Sequence, residues 1–150
     1  MTLALRSPAF ADGAPIPAAF DHDSGDRSPP LAWDGVPEGT AELVLLVDDP
    51  DAPIEGSFVH WVLYGLDPNR RGLAEGEVGG EAEAGTNGFG APGYLGPAPP
   101  PGGPPHRYLF RLLALDTPLR LDALPSYAQV EAATIGHVLA EARLHGTYQR

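Results

Sequence analysis

The chain contains no cysteine and no lysine among its 150 residues. Without cysteine it has no disulfide bond, no thiolate nucleophile and no cysteine-based zinc or iron–sulfur site. All 9 basic residues are arginines, and the 20 acidic residues give a formal net charge of −11. Because such a chain repels phosphate backbones and anionic lipid surfaces, we expect no nucleic acid and no membrane surface as partners.

Long hydrophobic runs are missing as well. The longest one, residues 43–47, is far shorter than the roughly 18 residues that a membrane-spanning helix requires. A secretory signal consists of a basic segment followed by an apolar one, and the first residues do not show this pattern. The sequence therefore predicts no membrane span and a cytoplasmic location.

Glycine and proline are abundant, with 19 and 18 copies, and 43% of the residues are hydrophobic. Glycine and proline favour turns, and the hydrophobic residues suffice to build a core. The length lies within the range of roughly 100–200 residues that is usual for one domain. We therefore expect a single, loop-rich domain over residues 1–150, and a helical bundle is disfavoured.

Most regular patterns in the sequence are typical of strands. The strong candidates are apolar, β-branched or aromatic runs bounded by glycine or proline, and the weak ones are shorter runs of the same kind. The strong candidates are residues 42–47, 57–64 and 107–115, and the weak ones are residues 3–5 and 31–33. A mainly β protein is therefore predicted.

One helix is predicted near the end of the chain, over Tyr127–Leu144. Ser126 suits its N-cap, and the apolar residues that follow recur at near-helical spacing. Gly136 lies inside this pattern and suggests a break between two shorter helices.

Residues 72–105 form a long segment that is rich in glycine and proline. A segment of this length without regular structure is usually either functional or disordered in a compact domain. Phe89 and Tyr94 lie between glycines in its second part. Since flexible linkers rarely contain such residues, we expect this part to be packed.

Three carboxylates occur within four residues, at Asp48, Asp49 and Asp51, where the first strong strand ends. Their mutual repulsion should raise at least one pKa unless a cation compensates it. Asp49 is a candidate site residue on this ground. A solvated turn around Pro50 and Pro53 is the plainer interpretation of the same residues.

Two histidines occur in segments predicted to be strands. His60 lies in an apolar strand, where alternation puts it on one face with Phe58, Val62 and Tyr64. A lone histidine in such a place is more often a hydrogen-bonded core residue than a functional one. The other histidines that we considered for a role, His22, His137 and His145, show no partner spacing and are expected at the surface.

The second histidine, His106, follows a proline-rich segment and directly precedes the predicted strand over residues 107–115. Alternation places His106 and Tyr108 on one face and Arg107 on the other. An imidazole and a phenol side by side can both donate hydrogen bonds to an oxyanion. A polyproline segment that merely precedes a strand is the competing interpretation.

The order of these motifs along the chain resembles that in the phosphatidylethanolamine-binding protein family, whose members are also called Raf-kinase-inhibitor-like. The resemblance rests on Asp49–Pro53, on His60 and on a Gly-Pro-x-Pro-Pro segment from Gly96 that precedes His106–Tyr108. Other segments extend it over nearly the whole chain and are similar to the short bacterial and archaeal branch. They are Ser7–Phe10, Ser28–Trp33, Thr86–Gly90, Gly136–Ala142 and Gly146–Tyr148.

The resemblance implies a β-sandwich of two antiparallel sheets with a few short peripheral helices, one of them C-terminal. It also implies a small anion-binding pocket that needs no metal and no cofactor. By motif position, the pocket would be lined by Asp49, Pro53, His60, Gly96, Pro97, His106 and Tyr108.

The ligands that the resemblance implies are phosphate, phosphomonoesters and carboxylates. Animal members of the family inhibit a kinase, and short bacterial members are commonly dimers. We therefore expect a small-anion-binding protein, with a regulatory role through a protein partner, that forms a homodimer. Gly103–Pro105 and the chain end at Arg150 depart from the animal pattern. Lipid binding and kinase inhibition are for this reason weaker expectations than the fold.

An enzyme is the alternative. Asp49, His60, His106 and Tyr108 could act as acid–base groups in a biosynthetic cyclisation or hydrolysis. Nucleophilic acyl transfer is disfavoured because the chain lacks cysteine and a Gly-x-Ser-x-Gly motif. A third alternative is an interaction scaffold in which the pocket has no role.

Anion binding by a chain of net charge −11 must be favoured locally. We expect Asp49 to raise the pKa of His60 and His106 and to keep both imidazoles protonated near neutral pH. Arg107, on the opposite face, is expected to pair with Asp51 or another acid in a structural salt bridge.

Overall fold

The computed structural model describes residues 2–150 and contains two antiparallel sheets. The strands are β1 (Ala4–Arg6), β2 (Leu31–Asp34), β3 (Glu42–Asp49), β4 (Phe58–Leu66), β5 (Gly72–Leu73), β6 (Glu83–Ala84), β7 (His106–Leu115) and β8 (Val138–Tyr148). The small sheet has the order β1–β2–β5, and the large sheet has the order β6–β4–β3–β7–β8. Helical structure consists of a 3-10 turn (Ala18–Phe20) and the helix α1 (Tyr127–Thr134). The predicted mainly β sandwich is confirmed.

The central strand β3 is buried on both faces, which explains the uninterrupted apolar run at residues 43–47. Leu45 and Val47 point into the core between the two sheets, where they join Trp33 of the small sheet. Val44 points the other way and packs with Val130 of α1 in a second core. Burial of each such aliphatic side chain contributes about 1.5–3 kcal/mol, so β3 anchors both layers.

The second half of the predicted helix is a strand. The helix α1 begins as expected after Ser126, whose hydroxyl accepts a hydrogen bond from Gln129 N at 3.1 Å in a capping box. It ends at Thr134, and Gly136, at φ +83°, turns the chain into β8. Residues 138–148 pair with β7 along its whole length, and this tertiary pairing outweighs the near-helical spacing. Within residues 2–150, no helix is long and apolar enough to cross a membrane.

A β-bulge in β4 changes the direction of His60. Opposite Val47 and Asp48 of β3, β4 contains one additional residue, which is His60. The bulge interrupts the alternation, so Val62 and Tyr64 pack on the side of α1 while the His60 ring lies on the other side of the sheet. The prediction that His60 shares a face with Val62 and Tyr64 is therefore wrong.

The long segment 72–105 contains only the short strands β5 and β6. Tyr94 is half-buried, and its hydroxyl donates a hydrogen bond to Phe20 O at 2.8 Å. Phe89, in contrast, is 64% exposed. The expectation of packing is thus confirmed for Tyr94, whereas Phe89 packs only in part, with its ring against Phe58 of β4 at a centroid distance of 5.6 Å.

Arg111 of β7 connects α1 to the outer face of the large sheet. Its guanidinium is largely buried and forms ion pairs with Glu131 of α1 and Glu141 of β8. It also donates a hydrogen bond to the Tyr127 hydroxyl at 2.9 Å. Burial opposes the positive charge, but the hydrogen bonds to Glu141 and Glu131 prevail and raise the pKa of Arg111. The ionic cluster therefore holds the helix in place.

Candidate functional site

The ends of β3, β4 and β7 enclose a cavity of about 220 Å³ at one edge of the large sheet. Asp49 ends β3, His60 occupies the bulge of β4, and His106 and Tyr108 begin β7. These strands are neighbours in the order β4–β3–β7, and neighbouring strands lie about 4.8 Å apart. Side chains from all three can therefore meet around one small molecule.

The structure brings six of the seven predicted site residues to the cavity: Asp49, Pro53, His60, Gly96, His106 and Tyr108. Pro97 instead lines a smaller adjacent crevice. It lies behind the wall because its neighbour Gly96 packs directly on the backbone of residues 20–22. Residues 103–105 are not part of the lining either, and Gly103 O accepts a hydrogen bond from the Gln149 side chain at 3.1 Å.

His106 and Asp49 form a buried pair at the inner end of the cavity. His106 Nδ1 lies 2.7 Å from Asp49 Oδ2, and both side chains are less than a tenth exposed. Asp49 Oδ1 is held in turn by the backbone N–H of Asp51 at 2.8 Å. Because a carboxylate can only accept, the hydrogen of the imidazole resides on Nδ1. The opposite nitrogen, Nε2, has no hydrogen-bond partner among residues 2–150.

His60 is fixed by two hydrogen bonds to one residue of the long loop. Its Nδ1 donates to Leu95 O at 2.6 Å, and its backbone carbonyl accepts from Leu95 N at 2.8 Å. Burial lowers the pKa of His60, although the Leu95 carbonyl and the carboxylates of Asp49 and Asp48 act in the opposite direction. The expectation that His60 is protonated near neutral pH is therefore wrong, because desolvation of the imidazolium prevails. Neutral His60 presents Nε2 as an acceptor.

The Tyr108 hydroxyl is buried and has no hydrogen-bond partner in the described part of the chain. Its ring centroid lies 5.1 Å from that of His60 and 6.5 Å from that of His106. Burial, the negative charge of Asp49 and a contact of the hydroxyl with that carboxylate, which lacks the geometry of a hydrogen bond, raise the pKa of Tyr108 well above its ordinary value. The phenol therefore stays protonated and remains a hydrogen-bond donor.

The three neighbouring carboxylates have different environments. Burial raises the pKa of Asp48, which lies on the α1 side of the sheet. A bidentate ion pair with Arg107, with N–O distances of 3.0 Å, lowers the pKa of Asp51. The pKa of Asp48 rises as predicted, but burial and not repulsion between the carboxylates is the main cause. The predicted pairing of Arg107 with Asp51 is confirmed. The pair lies near the surface, with the Arg107 side chain 57% exposed.

The walls of the cavity are mostly apolar. The apolar lining residues are Ala52, Pro53, Ile54, Phe58, Phe89, Leu95 and Ala98–Pro100. No arginine contributes to the lining. Within residues 2–150, no group of three or more histidine or carboxylate side chains is placed to hold a metal ion.

Among the lining residues that the sequence reasoning missed are three aromatic side chains, those of His22, Phe58 and Phe89. His22 was expected at the surface, yet its Nδ1 lies 2.8 Å from Asp26 and its ring faces the cavity. Phe58 could have been found, because it shares the predicted face of His60 and begins the same strand. For His22 the sequence carries no signal, since the cavity reaches it only through the fold of the long loop.

The family comparison agrees with this geometry. A sequence model described as "Phosphatidylethanolamine-binding protein" matches residues 6–149, which is nearly the whole chain. The chain belongs to the phosphatidylethanolamine-binding protein family. The resemblance noted from the motifs is thereby confirmed.

Individual relatives place this family member in the bacterial and archaeal branch. A UPF0098 protein of Methanothermobacter thermautotrophicus is 44% identical over 151 residues, which cover 97% of this chain and 98% of the relative. LppC of Mycobacterium tuberculosis, whose name assigns it provisionally to the lipoproteins, is 40% identical over 147 residues, covering 98% of this chain and 72% of LppC. The crystal structure of the phosphatidylethanolamine-binding protein homologue CT736 from Chlamydia trachomatis matches with a TM-score of 0.93 and 38% identity, covering 99% of this chain and 98% of CT736.

Proposed function

We propose that the cavity binds a small anion, namely phosphate, a phosphomonoester or a carboxylate. The observation that carries this proposal is the buried Tyr108 hydroxyl without a hydrogen-bond partner in residues 2–150. A buried polar atom of this kind normally has a partner, and leaving it without one costs about 1–3 kcal/mol. His60 and His106 line the same cavity, and within residues 2–150 their rings form hydrogen bonds only through Nδ1. An anion oxygen at the inner end of the cavity would accept a hydrogen bond from the Tyr108 hydroxyl.

The charges around the cavity make binding depend on pH. No arginine lines the cavity, and Asp49 adds a negative charge. Protonation of His60 or His106 turns Nε2 from an acceptor into a donor and adds a positive charge. An anion of fixed charge should therefore bind more tightly as the pH is lowered.

Titration calorimetry with inorganic phosphate and with acetate tests the proposal. In His106→Ala, loss of a hydrogen bond to an anion, about 1.5–3 kcal/mol, should weaken binding about 10- to 150-fold. His137→Ala is a matched control, because His137 also pairs with an aspartate (Asp116, 2.9 Å) but lies away from the cavity. Equal affinity in the parent and in His106→Ala would refute the proposal.

An enzyme that uses the same residues is the second candidate. It is favoured by the neutral His60 beside the His106–Asp49 pair, because this combination offers one proton acceptor and one oriented imidazole. A panel of phosphomonoesters and carboxylic esters would reveal hydrolysis. The enzyme candidate requires a turnover that His60→Gln abolishes, and turnover that survives this substitution excludes a role for the cavity.

We also propose that the protein is a homodimer, with a regulatory role through a further protein partner. Residues 138–143 of β8 hydrogen-bond only to β7 within the described chain, so one edge of this strand is free. Ile135, Val138 and Leu139 are exposed beside that edge. Light scattering should give twice the mass of one chain, and Leu139→Glu should shift the mass towards that of a single chain. A single-chain mass for the parent at micromolar concentration would contradict the dimer.

A cytoplasmic location remains part of the proposal. The provisional assignment of the relative LppC to the lipoproteins points in the other direction. Cell fractionation distinguishes the two, since a lipoprotein would be recovered with membranes.

A further inference from the structure

His22 is built into the cavity wall by three hydrogen bonds. Its Nδ1 lies 2.8 Å from Asp26 Oδ1, and the same oxygen accepts from Gly96 N at 2.9 Å. Its own backbone N–H donates to Pro97 O at 3.0 Å. The loop that carries His22 is thereby joined to residues of the opposite loop, 70 or more positions away in the sequence.

Close packing at Gly96 keeps this arrangement in place. A Cβ atom at Gly96 would lie 2.3 Å from Asp21 C and 2.5 Å from His22 N. The two backbones are therefore in direct contact and leave no space for a side chain between them. His22 consequently has a fixed position at the cavity, although its side chain is 40% exposed.

His22 lies at the outer end of a continuous run of aromatic rings. From His106 the run passes through Tyr108, His60, Phe58 and Phe89 to His22, with successive centroid distances of 6.5, 5.1, 5.1, 5.6 and 5.8 Å. The side chain of His106 is 8% exposed, whereas that of His22 is 40% exposed. The cavity thus has a buried polar end, an apolar middle and the imidazole of His22 at its more exposed end.

The hydrogen bonding of the His22 imidazole matches that of the His106 imidazole. Both histidines direct Nδ1 at a carboxylate, which fixes the hydrogen on Nδ1 and leaves Nε2 for another molecule. An inorganic phosphate bound at Tyr108 gains nothing from the phenylalanines or from His22. An apolar wall and a far polar group contribute only to a larger ligand.

We propose that His22 is a second ligand-binding residue and that the ligand is an organic phosphomonoester or carboxylate with an apolar body and a distal hydroxyl. This inference rests on the proposed function, because it takes the anionic group to bind at Tyr108 and His106. A hydroxyl suits His22 because it can donate to Nε2 of the neutral imidazole and accept from that of the imidazolium.

The test compares inorganic phosphate, phenyl phosphate and the three hydroxyphenyl phosphates by titration calorimetry. At least one hydroxyphenyl phosphate should bind about 2- to 10-fold more tightly than phenyl phosphate, as one added hydrogen bond requires. His22→Phe keeps a ring against Phe89 but removes Nε2, so it should abolish this gain without changing the affinity for inorganic phosphate. His137→Phe is the matched control and should retain the gain.

Two results separate the inference from the proposed function. If phosphate binding depends on His106 but no hydroxyphenyl phosphate shows a gain, or the gain survives in His22→Phe, the role of His22 is refuted and the anion site stands. If phosphate and phenyl phosphate fail to bind, or bind equally well to His106→Ala, the anion site is refuted and the role of His22 falls with it.

Discussion

Replacing Tyr108 by phenylalanine should affect stability and binding in opposite directions. The substitution removes only the hydroxyl, which is buried and has no hydrogen-bond partner in residues 2–150. Without an anion, the folded protein therefore loses no hydrogen bond and no longer buries an unsatisfied group. With an anion, the variant lacks one donor at the inner end of the cavity.

The expected changes in stability and in phosphate affinity both follow from the loss of the Tyr108 hydroxyl. An unsatisfied buried hydroxyl costs about 1–3 kcal/mol, so Tyr108→Phe should be up to about 2 kcal/mol more stable than the parent. For a chain of this length, about 1–2 kcal/mol corresponds to roughly 3–6 °C in Tm. The affinity for phosphate should fall about 10- to 150-fold, as expected for a lost hydrogen bond to an anion.

The assay is urea unfolding in a buffer free of phosphate and carboxylates, combined with calorimetric titration of phosphate. Such buffers are essential, because a bound anion would stabilise the parent by mass action. Tyr94→Phe is the matched control: its hydroxyl donates to Phe20 O at 2.8 Å, so its loss should destabilise the protein by about 1 kcal/mol. A Tyr108→Phe variant that is less stable than the parent and binds phosphate equally well would refute the reasoning.

Two further predictions concern the ionic groups. Arg111→Met should lower the free energy of unfolding, measured in urea, by about 1–3 kcal/mol. This loss is smaller than for a fully buried ion pair because the Glu131 side chain is 45% exposed. An unchanged stability would show that the ionic cluster does not hold α1. Burial lowers the pKa of His60 below its ordinary value of 6.5, so the unfolded chain binds the proton more readily. The anion-free parent should therefore lose stability relative to His60→Gln as the pH falls below about 6.5, and a constant difference between the two proteins from pH 7 to pH 5 would contradict the burial argument.

The strands that build the site could be predicted from the sequence because their patterns are strong. Residues 43–47 are apolar at every position, and a strand that is covered on both faces explains such a short run. Residues 138–144 were assigned to the wrong element, since their apolar spacing is compatible with a helix. Their pairing with β7 is a long-range contact that a local pattern does not contain.

The candidate site was only partly within reach of the sequence. Asp49, His106 and Tyr108 lie at strand ends, where alternation and motif order both point to a shared edge. The bulge at His60 and the depth of its burial are properties of strand pairing, so neither its direction nor its lowered pKa could be anticipated. His22 depends on hydrogen bonds to Asp26 and the Gly96 loop, which exist only after the chain has folded.

A crystal structure of the protein with phosphate, at a concentration that saturates the calorimetric titration, tests the central claim most directly. The account predicts tetrahedral density in the cavity, with phosphate oxygens within about 2.5–3.2 Å of the Tyr108 hydroxyl and of His106 Nε2. Density for phosphate at another place, with only water beside Tyr108 and His106, would contradict it.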